Sequence, residues 1–141
     1  MDFLVHNKVK PAVNQIETHP FHQQTDAQHF LQEAGIQMEA WGPFAEGKNN
    51  LFKNGILESI GKKYNKSVGQ VVLRWLTQRG VVAIPKSVHK ERMAENFNIF
   101  DLRLSDEDMK AIASLDSGES LFFDHRDPAM VKAISERKLP I

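Results

Sequence analysis

Three strand-length segments separated by one-faced helices constrain this chain more than any other feature. Ala12-Val13-Asn14-Gln15-Ile16 follows Pro11 and mixes β-branched residues with amides. Ile36-Gln37-Met38-Glu39-Ala40-Trp41 alternates apolar and polar residues until Gly42-Pro43 breaks it. Val81-Val82-Ala83-Ile84 is apolar throughout, as expected of a strand covered on both faces, and Pro85 ends it. Between the first two, Thr25 or Asp26 is placed to cap a helix with Ala27, Phe30, Leu31 and Ala34 on one face, and Gly35 suits a left-handed C-terminal residue. A helix over about 56–64 and another opening at Ser67, with Val68, Val71, Val72, Trp75 and Leu76 on one stripe, precede the third strand. This order predicts right-handed crossovers and parallel strands. Three parallel strands leave open edges, so the segment is expected to belong to a larger sheet or barrel.

Beyond the third strand, a short helix is predicted around Lys90 to Phe97. Ser105-Asp106-Glu107-Asp108 has the form of a capping box ahead of a stripe of Met109, Ile112, Ala113 and Leu115. After Ser117 the periodicity ends, and Leu121 to Pro128 reads as a loop-rich tail. Gly47 and Asn49-Asn50 mark 45–50 as irregular backbone.

The 141 residues match one ordinary globular domain, and 18 basic against 18 acidic residues leave no one-signed field. That argues against nucleic acid or a membrane surface as partner. The chain has no cysteine, which removes disulfide, thiolate and cysteine-metal chemistry and fits a reducing, cytoplasmic setting. No apolar run approaches bilayer length, and Met1 to His6 lacks the pattern of a signal peptide.

Two constellations are set aside. Glu17, His19 and His22 have a spacing that invites a metal, but Pro20 makes the segment a turn and no third ligand is evident, so no metal is expected. His125-Arg126-Asp127 mimics a kinase catalytic loop, but Pro128 follows and the required Asn is missing. Lys86, Ser87 and Arg92 follow a strand and flank a helix start, where two cations and a hydroxyl suit a phosphate. From spacing alone, a solvated turn with incidental charges is the plainer reading.

Three stretches resemble one family. They are Pro11-Ala12-Val13-Asn14-Gln15-Ile16-Glu17 with His19-Pro20, then Ala40-Trp41-Gly42-Pro43-Phe44, then Ile84-Pro85-Lys86-Ser87 with Arg92 and Glu95-Asn96. Their residues, order and spacing resemble the last three barrel strands of the aldo-keto reductases, over nearly the whole chain and most closely the bacterial branch of 2,5-diketogluconate and glyoxal reductases. The resemblance implies an α/β fold: the last three β/α units, C-terminal helix and tail of a (β/α)8 TIM barrel, with residues 1–141 forming one partial domain that lacks the N-terminal strands. A full barrel takes roughly 250 residues. The family's Asp, Tyr, Lys and His tetrad would lie outside this chain. No catalytic residue is therefore expected in it, and Tyr64, its one tyrosine, is not given the acid role.

The implied cofactor is NADP(H), with Lys86, Ser87 and Arg92 at the 2′-phosphate and Glu95 and Asn96 on the adenine side. Trp41 replaces the usual tyrosine against the nicotinamide, with Gln15 on its carboxamide and Phe44 nearby. Gly42 replaces the usual serine and removes a hydroxyl from the pyrophosphate side. Phe122 and Phe123 would fold over the barrel mouth. The expected function is reduction of small aldehydes and ketones to alcohols by a sequence that is inactive alone. The alternatives are a non-catalytic half-barrel that binds NADP or pairs with a second half or copy of itself, and the product of a split or wrongly started reading frame, a view that Met1 falling inside an expected helix favours.

Overall fold

The computed structural model describes residues 6–124 and 127–137; the mimicry at His125-Arg126 and the segment at Met1 lie outside them. Strands β1 (Val13–Glu17), β2 (Gln37–Trp41) and β3 (Val82–Ala83) form a parallel sheet in the order β1-β2-β3. Helices α1 (Thr25–Glu33), α2 (Gly55–Tyr64), α3 (Val68–Gln78), α4 (Lys90–Phe97), α5 (Asp106–Ala113) and α6 (Pro128–Ser135) complete the fold. The register sets Gln15 opposite Glu39, Glu17 opposite Trp41 and Glu39 opposite Val82. Side chains alternate along a strand, so these five residues share one face while Met38, Ala40 and Ala83 share the other.

Helices α1 and α3 pack on that second face, where Met38 and Ala40 are buried. The expectation that 81–84 is covered on both sides does not hold. Only Val82 and Ala83 are in the strand, and Val82 and Ile84 are 43% and 58% exposed. Val81 is buried, so the apolar run reflects one covered face and one that nothing among the described residues covers.

Helix α3 is the centre of the core. Val71, Val72, Trp75 and Leu76 are all at most 1% exposed, in one cluster with Leu51, Leu57, Leu104 and Ile112. Each such side chain contributes roughly 1.5–3 kcal/mol by leaving water. A capping box of Ser67 and Gln70 opens α3, and Asn54 caps α2 by accepting from the Ile56 and Leu57 amides. The cap expected at Thr25 or Asp26 falls instead on Gln24, in a left-handed conformation with no side-chain cap, its amide nitrogen lying 2.9 Å from the His22 ring. In the tail, 121–124 is loop as expected, but α6 follows further on. Pro128 is its first residue, where a missing N–H costs nothing, and Asp127 caps it.

The predicted capping box at Ser105 and Asp108 forms, and Asp108 also joins α5 to the end of α2. Its carboxylate accepts from the Tyr64 hydroxyl and from Lys63 Nζ at 2.9 and 3.1 Å. The sole tyrosine is thus committed to a structural contact. Burial acts to raise the Asp108 carboxyl, but hydrogen bonds from Tyr64, Lys63 and Ser105 outweigh it and hold the group at about 2, below its ordinary 3.8. A carboxyl depressed on folding contributes stability that is full above its unfolded pKa and is lost as pH falls through the folded value. Asp108→Asn is therefore expected to cost about 1–3 kcal/mol at neutral pH. It should also flatten the fall in melting temperature between pH 4 and about 2, measured by circular dichroism.

Candidate cofactor site

Two clefts border the ends of the strands. The first, about 750 Å³, is bounded by Phe44 and Gly47 on one side, the start of α3 at Val68 and Gly69, and the β3–α4 segment. Lys86, Ser87, Arg92, Glu95 and Asn96 all line this cleft, so Phe44 and the third motif, more than 40 residues apart in sequence, meet across it. Lys86 and Arg92 are exposed and form no ion pair with a described residue. Ser87 Oγ accepts from the His89 amide at 3.1 Å, shaping the turn into α4. His89 caps α4 without a side-chain bond, which leaves the helix's first N–H groups available to an acceptor. Two cations, a hydroxyl and an open helix N-terminus fit a phosphate ester.

Helix α4 is fixed from behind by residues that carry no motif signal. Gln70 Nε2 donates to the Glu95 and Asn98 carbonyls at 3.1 and 2.9 Å, and Lys66 Nζ donates to Asn98 O at 3.0 Å. They cap the C-terminal end of α4 and hold its length against α3.

The second cleft, about 800 Å³, holds Gln15 and Trp41. The structure therefore divides the expected residues between two clefts rather than gathering them in one. The Gln15 amide donates to the Glu39 carboxylate, its partner in register. Trp41 is half-buried, with the ring of Phe122 at 4.7 Å and that of Phe123 at 6.4 Å, inclined at 27°. Gly42 has φ +63, and a Cβ there would lie 3.6 Å from Phe122 Cε2. A left-handed turn beneath an aromatic ring is the physical reason for glycine at this position.

The segment Ala45–Lys53 contributes Glu46, Gly47 and Phe52 to the first cleft, with Ala45, Glu46, Asn49 and Asn50 all at positive φ. Such conformations cost of order 1 kcal/mol or more each for residues other than glycine. Lys48 Nζ, unmarked by the sequence, donates to Leu121 O at 2.8 Å and lies 3.8 Å from the Phe122 ring centre.

Glu17 and His19 are buried, with His19 Nε2 2.9 Å from Glu17 Oε1. Burial lowers the His19 pKa and outweighs the opposing pull of Glu17. The neutral ring is the Nε2–H tautomer, since Nδ1 accepts from the Phe21 amide at 3.3 Å. Glu17 also accepts from Ser120 Oγ at 2.5 Å and from the Leu121 amide at 3.0 Å. Burial acts to raise its carboxyl, and these bonds hold it below the ordinary range. Its oxygens are thus engaged with His19 and the tail. Among the described residues no cluster of three metal-ligating side chains occurs, and no helix is long and apolar enough to cross a membrane.

The aldo/keto reductase profile matches residues 1–117, and the chain belongs to that family. It is 48% identical over 117 residues to aldose reductase B of Dictyostelium discoideum, 83% of this chain and 38% of that protein. With glyoxal reductase of Bacillus subtilis it shares 47% identity over 112 residues, 79% of this chain and 40% of that protein. The chain thus spans about two-fifths of the curated relatives it matches. Among solved structures, an aldo-keto reductase from a Medee basin deep-sea metagenome superposes with a TM-score of 0.84 at 37% identity, over 89% of this chain and 47% of that one. A silkworm (Bombyx mori) aldo-keto reductase complexed with NADPH gives 0.78 at 39% identity, over 85% and 40%.

A neutral His19 is expected to keep its Nε2–H tautomer below pH 6.5, the ordinary histidine value. Ring-nitrogen NMR across the pH range checks this, and protonation of His19 near 6.5 would contradict it.

Proposed function

We propose that this chain is the cofactor-positioning part of an NADPH-dependent oxidoreductase that reduces aldehydes and ketones to alcohols, built as the C-terminal portion of a (β/α)8 barrel. What carries the reading is the convergence of Lys86, Ser87, Arg92, Glu95 and Asn96 on one cleft while Gln15 and Trp41 line another at the same strand ends. Family membership and the NADPH complex of the silkworm relative support it.

In this reading Lys86 and Arg92 bind the 2′-phosphate, the lysine as a point charge and the arginine as a planar fork, and Ser87 donates its hydroxyl. Glu95 and Asn96 border the adenine side, and Phe44 forms the apolar wall between. The Trp41 indole stacks on the nicotinamide, with the Gln15 amide turned from Glu39 to the carboxamide. The bound cofactor supplies a hydride to the carbonyl carbon, and a proton must reach the oxygen. Tyr64 is engaged by Asp108 and does not supply that proton, so we assign the general acid to residues other than these 141. The isolated chain is then expected to bind NADPH without detectable carbonyl reduction.

A second reading has the chain pair with a complementary half or a copy of itself. Met93, Phe97 and Phe100, 50%, 75% and 64% exposed, stand close to β3 at the sheet edge and favour it. A compact monomer in sedimentation would exclude self-pairing.

Tryptophan-fluorescence titration tests the cofactor reading. NADPH should quench at far lower concentration than NADH, and Arg92→Ala should weaken NADPH by about tenfold or more with little effect on NADH, the worth of one charge-assisted phosphate contact. Equal effects on both cofactors would contradict the 2′-phosphate assignment.

A further inference from the structure

We propose that Glu17 is a positioning residue that seats the C-terminal tail on Trp41, making the tail and the cofactor-facing strand ends one mechanical unit. The inference rests on the cofactor reading only for its consequence, since the contacts themselves stand in the chain. Glu17 ends β1 directly opposite Trp41 in register, so both side chains rise from the same face, and the Thr18 amide donates to Trp41 O at 3.2 Å. Whatever is tied to Glu17 must therefore lie over the indole.

What is tied there is the tail. Ser120 Oγ donates to Glu17 Oε2 at 2.5 Å and the Leu121 amide to Oε1 at 3.0 Å. Ser120 Oγ then accepts from the Phe122 and Phe123 amides at 3.1 and 3.0 Å, turning the chain so that both rings meet Trp41. Leu121 is gripped from both ends, its N–H by Glu17 and its C=O by Lys48 from the loop after β2. The carboxylate is itself held, because the buried neutral His19 spends its one N–H on Oε1. A buried carboxylate 3% exposed, shared between one imidazole and two tail donors over 100 residues away, has more contacts to the tail than a strand end needs for its own packing. Its consequence is that the tail sets the indole's position, and with it the wall of the second cleft.

Acrylamide quenching separates this role from a merely structural one. Trp75 is 1% exposed and shielded, so quenching reports Trp41, and Trp41→Phe confirms that assignment. Ser120→Ala removes one tail bond to Glu17 together with the acceptor of the Phe122 and Phe123 amides and leaves β1 unaltered. Glu17→Ala removes both bonds to the tail and leaves the Ser120 turn in place, and Glu17→Gln retains an acceptor. Ser120→Ala and Glu17→Ala should raise the quenching constant by about twofold, as expected when a local segment opens, while circular dichroism stays native. Glu17→Gln should restore most of the protection, and the Ser120/Glu17 double variant should be non-additive. Unchanged quenching in Ser120→Ala, or quenching that rises only with global unfolding, would overturn the proposal. Should the variants change quenching while the parent chain ignores NADPH, the positioning role stands and the cofactor reading fails. Should the parent bind NADPH and Ser120→Ala leave quenching and affinity alike, the reverse holds.

Discussion

The packing of α3 is the interaction on which the rest of the molecule depends. Its apolar stripe fills the core, and its polar residues reach out to fix the neighbours. Gln70 caps the end of α4. Gln78 exchanges two hydrogen bonds with the backbone of Leu104, at 2.9 and 3.0 Å. Just past the helix, Arg79 donates to Gln23 O at 2.8 Å and lies 4.5 Å from the Trp75 ring. One helix therefore sets the position of Arg92 and Asn96 on one side and of the turn after β1 on the other. Removing a buried side chain from it, as in Leu76→Ala, costs about 2–5 kcal/mol, a large part of a domain's stability.

Around that helix the chain makes an asymmetric sheet. One face is sealed by α1 and α3, and the other carries Gln15, Glu39 and Trp41, covered at its end, among the described residues, by the tail. Gln15 and Trp41, which the proposed function sets against the nicotinamide, lie on the unsealed side, where an amide and an indole can meet a ligand without first breaking core contacts. The positive-φ segment 45–53 borders the first cleft through Glu46, Gly47 and Phe52, and Lys48 fastens it to the tail. Strain of this kind persists where surrounding contacts over-determine the backbone.

Much of this was legible in the sequence because it rests on local chemistry. Ser67 and the capping box at Ser105 announce helix starts, and the period of Val68 to Leu76 identifies the buried face of α3. The parallel order follows from alternation. Long-range polar contacts left no such trace. Nothing in the periodicity links Glu17 to Ser120 or Lys48 to Leu121, since each pair meets only after the tail has folded back. Val82 and Ile84 looked covered because an apolar run carries no sign of which face is open. Pro128 closed a stretch that read as loop, because a proline ends one element and begins another with the same side chain. The residues of the motifs were recognisable, but their division between two clefts follows from tertiary packing that the spacing does not encode.

In the proposed function a single extended ligand spans both clefts, from Lys86 and Arg92 to Trp41 and Gln15. Backbone hydrogen exchange with and without NADP+ measures this directly. The account predicts that bound cofactor slows exchange in 86–92 and in 15–17 together, at the same concentration. Protection confined to one segment, or absent from both, would contradict it.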